Sequence, residues 1–501
     1  MSPEASGDLP PAGVAATRRG DPGYERARTG AVFNARTPDR FPELIARPAS
    51  EREIPELLAY ARESGLRVAI RSGGHHWSGP VLRDGALLLD LSRLRHCHVD
   101  PGSSTATVGP AVTGGRLAAR LAPHRLAFPT GHCPDVALGG YLLSGGMGWN
   151  CRESGPACRY VEEIRAVTAD GRTVTCSERE NPDLFWAARG AGPGFFAVVT
   201  RFRLRLLPQP GSIMTASLTF PLADAERVGG WALRTARESP PNVETSLVLT
   251  PHGPAAGGVA AGPRLKVESS VFAGTPEEAA AALAPVDACP FTGRAVDHRP
   301  ARPTSFRSLY GATDSDPDSA PGPGAGSGPG ADPAPGPGPG AAPGSGPDSA
   351  PGPRSALPAE HRYAVDTLWS PEPYETQLAR SARQIAKAPS TKSHVLIAFE
   401  PVAPDPVALR HMAFSVLGES YVAPFAVWDD PEADAANIRW LHETMDALDP
   451  DGTGGHYIAE ADLAAGEPRF RGSYGPADWA RLKRLREQWD PSGLFHTDPA
   501  P

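Results

Sequence analysis

Hydrophobic positions change their rhythm along this chain near residue 213. Before that point, short apolar runs alternate with helical repeats. Residues 41–49, with Pro42 and Pro48 near their ends, form an extended lead-in, and Ser50-Glu-Arg-Glu53 has the form of a capping box. Ile54, Leu57, Leu58, Tyr60 and Ala61 then recur at helical spacing until Gly65. Residues 67–71 are a short β run that delivers the turn Gly73-Gly74-His75. Residues 86–91 and 106–109 predict further strands, and a helix is expected around 112–123. Val161–Val167 and Thr173–Cys176 predict a hairpin that turns at Ala169-Asp170-Gly171.

Beyond that point apolar and polar residues alternate singly at 212–220, 245–249 and 265–272, as half-buried antiparallel strands do. Later strands are expected at 394–399 and 421–428, and helices around 223–238 and 276–284. The predicted class is α+β, with helices laid on one antiparallel sheet. Residues 314–355 interrupt this region. They contain no Val, Ile, Leu, Phe, Trp or Tyr, and 11 Pro and 11 Gly fall within 321–353. Such a segment cannot offset its ordering entropy, so a disordered surface insertion is expected. Residues 1–23, rich in Pro, Gly and Ala, are likewise expected to be a flexible leader. The C-terminal segment is compact again. It carries Gly455-His-Tyr-Ile-Ala-Glu-Ala-Asp-Leu463, an amphipathic helix over 477–488, and Asp490-Pro491 ahead of Leu494-Phe495.

Composition refines the picture. A chain of 501 residues exceeds one ordinary core and predicts two domains, interleaved in sequence. A net charge of −8 argues against a nucleic-acid or anionic-membrane surface. No window approaches the ~18 apolar residues of a membrane span. Arg18-Arg19 lacks the apolar stretch that would make it an export signal, so a cytoplasmic location is expected. The cysteines at 97, 133, 151, 158, 176 and 289 form no Cys-x-x-Cys pair and no zinc-type spacing. No protein partner is evident.

Candidate chemistry concentrates in two glycine-rich stretches. The first is Arg71-Ser-Gly-Gly-His-His-Trp-Ser-Gly79. The second is Gly131-His-Cys-Pro-Asp-Val-Ala-Leu-Gly-Gly-Tyr-Leu-Leu-Ser-Gly-Gly-Met-Gly-Trp149. Clustered glycines let main-chain N–H groups converge on a phosphate, although ligand-free turns are built the same way. The Gly-x-Gly-x-x-Gly fingerprint is absent, which counts against a nicotinamide-binding domain. His75, His76, His132 and Cys133 lack helical i,i+4 pairing, so no metal site is expected. On the residues alone, His75 reads as a turn histidine and Cys133 as a small buried residue.

Together, Gly-Gly-His and the later Gly-x-Cys-Pro-x-Val-x-x-Gly-Gly resemble the berberine-bridge-enzyme-like flavoproteins, which carry a PCMH-type FAD-binding domain within the vanillyl-alcohol-oxidase superfamily. Asp183-Leu-Phe-Trp-Ala-Ala-Arg-Gly190, Gly194-Phe-Phe-Ala-Val-Val-Thr200 and the tail around Tyr457 extend the resemblance over roughly 24–501 outside the insertion. Phe195 stands where the family pattern has Asn, Ala197 where it has Gly, and Ala459 where it has Asn.

The resemblance implies an FAD-binding domain of residues 24–212 and 456–501 enclosing a substrate domain of 213–455. It implies FAD held by Arg71, Ser72, Gly73, Gly74, His75, His76, Cys133, Val136, Gly139, Gly140, Gly145, Gly146, Gly148, Val199 and Tyr457. His75 would be bonded to the flavin 8α-methyl carbon and Cys133 to C6. Val136 matches a position that shapes oxygen access, and Val there is associated with oxidases. Tyr457 is the expected base for the proton that accompanies hydride transfer, with Glu460 and Tyr141 as the other candidates. Trp369, Trp428 and Phe425 are candidates for a substrate face, with core packing the alternative. The expected activity is hydride transfer from a small alcohol, sugar or secondary metabolite to FAD, then to O2 giving H2O2. A flavin dehydrogenase with another acceptor, or a catalytically altered FAD-binding protein, are the alternatives.

Overall fold

The structure, a computed structural model, describes residues 13–256, 260–310, 359–398 and 411–497. The insertion expected at 314–355 lies outside the described residues. The first sheet comprises Ala15–Arg18 (β1), Leu44–Arg47 (β2), Val68–Arg71 (β3) and Leu87–Asp90 (β4), in the order β1-β2-β4-β3. β2 and β3 flank β4 in parallel, and all of β4 is buried, as the near-continuous apolar run of a central parallel strand requires.

β1 corrects the expectation of a flexible leader as far as residue 23. Ala15 to Arg18 pair antiparallel with Arg47 to Leu44, and the Arg18 guanidinium donates to the Tyr60 hydroxyl at 3.0 Å. Main-chain hydrogen bonds hold such an edge strand, so its low apolar content is no bar. The helix after Ser50 also starts differently from the expected capping box. A 3-10 turn, Glu51–Glu53, precedes Ile54–Glu63. The Glu53 carboxylate therefore accepts from the Ala49 amide at 2.9 Å and the Ser50 hydroxyl at 3.1 Å. Ile54, Leu57, Leu58 and Ala61 still form the buried stripe, in one core with Leu44, Val68 and Leu87.

The second sheet is antiparallel. Cys97–Asp100 (β5), Thr105–Val108 (β6), Val161–Val167 (β8), Thr173–Cys176 (β9) and Val198–Arg205 (β10) take the order β5-β6-β10-β8-β9. The short strands Leu126–Ala127 (β7) and Leu207–Pro208 (β11) pair beside it. β8 and β9 are the expected hairpin, and Gly171 supplies the positive φ of 86° at its turn.

The third sheet has eight strands and is antiparallel throughout. Ser212–Pro221 (β12), Val243–Gly253 (β13), Gly262–Ala273 (β14), Asp297–Thr304 (β15), Arg362–Val365 (β16), His394–Ala398 (β18) and Ser420–Trp428 (β19) run in the order β15-β12-β14-β13-β18-β19-β16. Leu368–Ser370 (β17) pairs with the start of β19. Helices Ala225–Glu238, Pro276–Asp287, Tyr374–Ile385 and Asp434–Leu448 bury their apolar faces on one side of it. Strand periodicity then decides what the other side does. Along β19, Val422, Ala426 and Trp428 join the helix-covered core. Tyr421, Ala423, Phe425 and Val427 point oppositely, into an aromatic cluster with Trp77, Met147 and Tyr457.

The C-terminal tail joins the layers. Gly455 exchanges main-chain hydrogen bonds with Trp369 of β17 at 2.8 and 2.9 Å. Farther on, the Val68 amide of β3 donates to the Leu494 carbonyl at 2.8 Å, and the His496 amide donates to the Val68 carbonyl at 2.8 Å. The Asp490 carboxylate fixes that return by accepting from the amides of Leu494 at 2.8 Å and Phe495 at 2.9 Å.

Candidate active site

Where the aromatic face of the third sheet meets the first two, a cavity opens. Its walls are the turn after β3 (72–77), parts of the loop and short helix over 131–147, residues 192–199 entering β10, Phe425 of β19, and Tyr457 with Ala459 and Glu460 of the tail. These segments lie far apart in sequence and meet because the tail packs against both the third sheet and β3.

The turn after β3 is shaped for close approach of backbone. At Gly74 φ is 72°, and a Cβ there would collide with the Ala31 carbonyl. The main-chain N–H groups of Gly73, Gly74, His75 and His76 find no acceptor among the described residues. A run of unpaired amides lining a cavity is a donor-only surface, which suits a pyrophosphate. Ser72 also lines the wall, and Gly139 packs so closely on it that a Cβ would strike the Ser72 hydroxyl. At Gly140 the corresponding space is open.

His75 and Cys133 both line this cavity. The His75 ring stacks on Phe33 with centroids 4.2 Å apart and planes at 14°, and its Nε2 lies 3.4 Å from Asp135 Oδ1. Cys133 is buried in the wall, and Val136 lines the cavity three residues on. His132 packs edge-on against Trp149 at 4.4 Å. His76 lines the cavity too, with both ring nitrogens engaged: Nε2 donates to the Ile458 carbonyl at 3.2 Å, and Nδ1 accepts from the Ser78 amide at 3.4 Å. Burial pulls its pKa down to about 4, so the ring is neutral and works as a pin on the tail.

Tyr457 is carried by that pinned segment. Its hydroxyl accepts from the Met147 amide at 2.9 Å, its own amide donates to Thr367 Oγ1 at 2.9 Å, and its ring meets Phe414 edge-on at 6.1 Å. Beneath it, fully buried Asp366 accepts from the amides of Thr367 at 2.8 Å and Asp462 at 3.1 Å and pairs with Arg469 Nε at 2.9 Å. A buried carboxylate answered by two amides and a guanidinium is a rigid support. Glu460 lines the cavity beyond Tyr457 and accepts from the Tyr421 hydroxyl at 3.0 Å.

Several expected cofactor residues lie elsewhere. Arg71 points back under the sheet, donating to Asp90 at 2.9 Å and to the Ala31 carbonyl at 3.1 Å. Burial would raise the Asp90 pKa, but Arg71 and Arg47 outweigh it and hold the carboxyl below its usual range. Gly145, Gly146 and Gly148 do not line the cavity. A Cβ on Gly145 would meet the Phe414 ring at 2.5 Å, and one on Gly146 the Tyr141 ring at 2.8 Å; at Gly148 it would strike the Thr130 carbonyl. These glycines let the loop cross over Tyr141. Tyr141 lines the wall, but its hydroxyl donates to the Pro129 carbonyl at 2.8 Å, and burial raises its pKa well above the ordinary value. Its phenol is thus engaged as a donor within the wall.

Val199, Phe195 and Ala197 all line the cavity. Of the aromatic candidates Phe425 reaches it. Trp369 packs behind it, its ring tilted at 51° to that of Tyr421 with centroids 4.6 Å apart, and Trp428 donates to Asp434 in the helix-covered core. Trp77, Met147, Asp135 and Tyr421 were not anticipated. Trp77 and Met147 sit inside the motif stretches, a signal that was available. The partners of Asp135 and Tyr421 are set by tertiary contact alone.

Comparison with known proteins gives a consistent pattern. The FAD binding domain family matches residues 42–177. The FAD-linked oxidoreductase penO of Penicillium crustosum is 30% identical over 96% of this chain and 95% of its own. The FAD-linked oxidoreductase ptmO of Penicillium ochrochloron is 31% identical over 96% of this chain and 95% of its own. The solved structure of Physcomitrella patens BBE-like 1 superposes with a TM-score of 0.77 at 17% identity, over 98% of this chain and 97% of that one.

Proposed function

The chain belongs to the berberine-bridge-enzyme-like FAD-linked oxidoreductases, and on that premise we propose that His75 and Cys133 hold its FAD covalently while O2 accepts the electrons taken from a small-molecule substrate. One observation carries the reading: a turn of unpaired amides, His75, Cys133 and Tyr457 all line one cavity. When bound, FAD supplies the hydride acceptor that no side chain can.

The chain's own groups do the rest. Amides 73–76 bind the pyrophosphate, and the imidazole and the thiol are the two nucleophiles. Acting as the phenolate, the Tyr457 oxygen takes the substrate proton and becomes the neutral phenol, and the Met147 N–H steadies the negative charge that the oxygen carries before the transfer. Glu460, held by Tyr421, is the second proton acceptor within reach of the cavity. Trp77 and Phe425 close the apolar side and keep water out, while Val136, a small side chain, supports oxygen access.

Purified protein, its acid-precipitated pellet and an oxygen electrode test the reading together. The expected result is a yellow protein whose colour stays with the pellet and which consumes O2 and forms H2O2 with an oxidisable alcohol or amine. A colourless protein that takes up no added FAD would overturn it. Flavin that substrate reduces but air does not reoxidise would move the acceptor to another oxidant.

A further inference from the structure

His75 makes one polar contact that attachment to a flavin does not by itself require. Its Nε2 is closed off from solvent and makes no hydrogen bond among the described residues; its charged neighbour is Asp135 Oδ1, 3.4 Å away in the facing loop two residues past Cys133. Stacking on Phe33 fixes the ring's plane, and the carboxylate lies beside the ring's Nε2. The His75 ring beside it holds the Asp135 carboxyl below its usual range, while the rest of that side chain is largely open to solvent.

The geometry points to Asp135 as the positioning residue that prepares His75 for attachment to the flavin methyl carbon, an inference that rests on the covalent reading above. A neutral imidazole has one free lone pair, on the nitrogen without hydrogen. A carboxylate beside Nε2 keeps the hydrogen there and so leaves the lone pair on Nδ1. As the Nδ1–carbon bond forms, one methyl C–H bond is broken and its hydrogen leaves as a proton. The ring passes through an imidazolium whose charge faces Asp135, then loses the Nε2 proton. The two electrons of the C–H bond pass to O2, which with these two protons becomes H2O2.

Two backgrounds test this. In Cys133→Ala only His75 can attach flavin; in His75→Ala only Cys133 can. Asp135→Asn is added to each. Covalent flavin is read as fluorescence of the denatured band, per flavin bound by the native protein, over time after adding FAD. In the Cys133→Ala background, Asp135→Asn should slow attachment by about tenfold or more, the scale on which groups that orient a histidine act. Flavin binding by the native protein and attachment through Cys133 should be unchanged, and Asp135→Glu should restore much of the rate. Equal rates with and without Asp135→Asn would overturn the inference and leave the covalent reading standing. Equal losses in both backgrounds would make Asp135 a support of the Cys133 loop and overturn it too. Absence of covalent flavin in Cys133→Ala with Asp135 intact would sink attachment at His75, and this role with it.

Discussion

The amide of Met147 donates to the hydroxyl of Tyr457 over 2.9 Å, joining residues 310 positions apart. That single bond ties the glycine-rich loop to the C-terminal tail at the point where both face the cavity. The Thr367 hydroxyl receives the Tyr457 amide from the other side, so the phenol is held between a loop of the first half and the end of the third sheet. Precision at this oxygen therefore depends on the tail's docking, and the tail is in turn pinned by His76 and Asp366.

Two adjacent glycines separate packing from ligand space. A Cβ at Gly139 collides with the Ser72 hydroxyl and comes within 2.9 Å of Pro110, whereas at Gly140 nothing lies within 4 Å. Gly139→Ala should therefore lower stability whether or not FAD is present. Gly140→Ala should leave the protein stable, or steadier by about 0.5–1 kcal/mol because its site is helical, yet weaken flavin loading if the cofactor occupies that space. Thermal unfolding and flavin-to-protein absorbance ratios check both. Full loading in Gly140→Ala would move the cofactor away from this wall.

Attachment chemistry makes a sharper forecast. His75→Ala and Cys133→Ala should each keep some flavin through denaturation, and the double substitution should release all of it into an acid supernatant. Both side chains line the cavity, so removing one leaves the other nucleophile in place. Covalent flavin in the double variant would require another residue. His76 is a poor substitute, because both its ring nitrogens are already hydrogen-bonded.

Much of this arrangement is legible in the sequence where the signal is local. The apolar run of 421–428 announces a strand buried on both faces, and its two faces do enter different cores. The β8–β9 hairpin follows from its turn residues. Non-local facts are not legible in the same way. Arg71 stands beside the glycine turn, yet its partner Asp90 belongs to the neighbouring parallel strand. Gly145, Gly146 and Gly148 look like a cradle, but each is explained by what a Cβ would strike, Phe414, Tyr141 or Thr130. β1 carries almost no apolar signal because its hydrogen bonds are main-chain. Glu460 gains its partner Tyr421 from 39 positions away, through sheet geometry alone.

Acid should weaken the fold in a defined window. Burial pulls both His76 and His394 down to about 4, whereas an unfolded histidine titrates near 6.5. Between those values the unfolded chain binds protons that the native protein refuses, so stability falls as pH falls from about 6.5 to about 4 and levels off below. Each ring contributes at most about 3 kcal/mol, and less to the extent that it keeps some exposure. His394→Phe preserves the stacking on Phe425, which is 4.6 Å away at 10°, while removing the titration. Urea unfolding across this range should show a shallower acid slope in that variant. An unchanged slope would assign the acid sensitivity to other groups.

Tyr457→Phe asks whether the phenol oxygen does chemistry or only holds the loop. The ring and its edge contact with Phe414 survive the change, and flavin content should be retained. Removing the acceptor leaves the Met147 amide unpaired in a buried place, which costs about 1–3 kcal/mol of stability and is measurable separately. If the oxygen takes the substrate proton as hydride leaves, anaerobic reduction should slow by about 10²–10⁴-fold. Reoxidation of the reduced enzyme by O2 needs no such transfer and should keep its rate. Stopped-flow measurement of each half-reaction separates the two. A reduction rate within about threefold of the parent, roughly 0.65 kcal/mol in barrier, would exclude Tyr457 as the base. The role would then pass to Glu460, whose carboxylate lines the same cavity under the hand of Tyr421, and Glu460→Gln should show the loss instead.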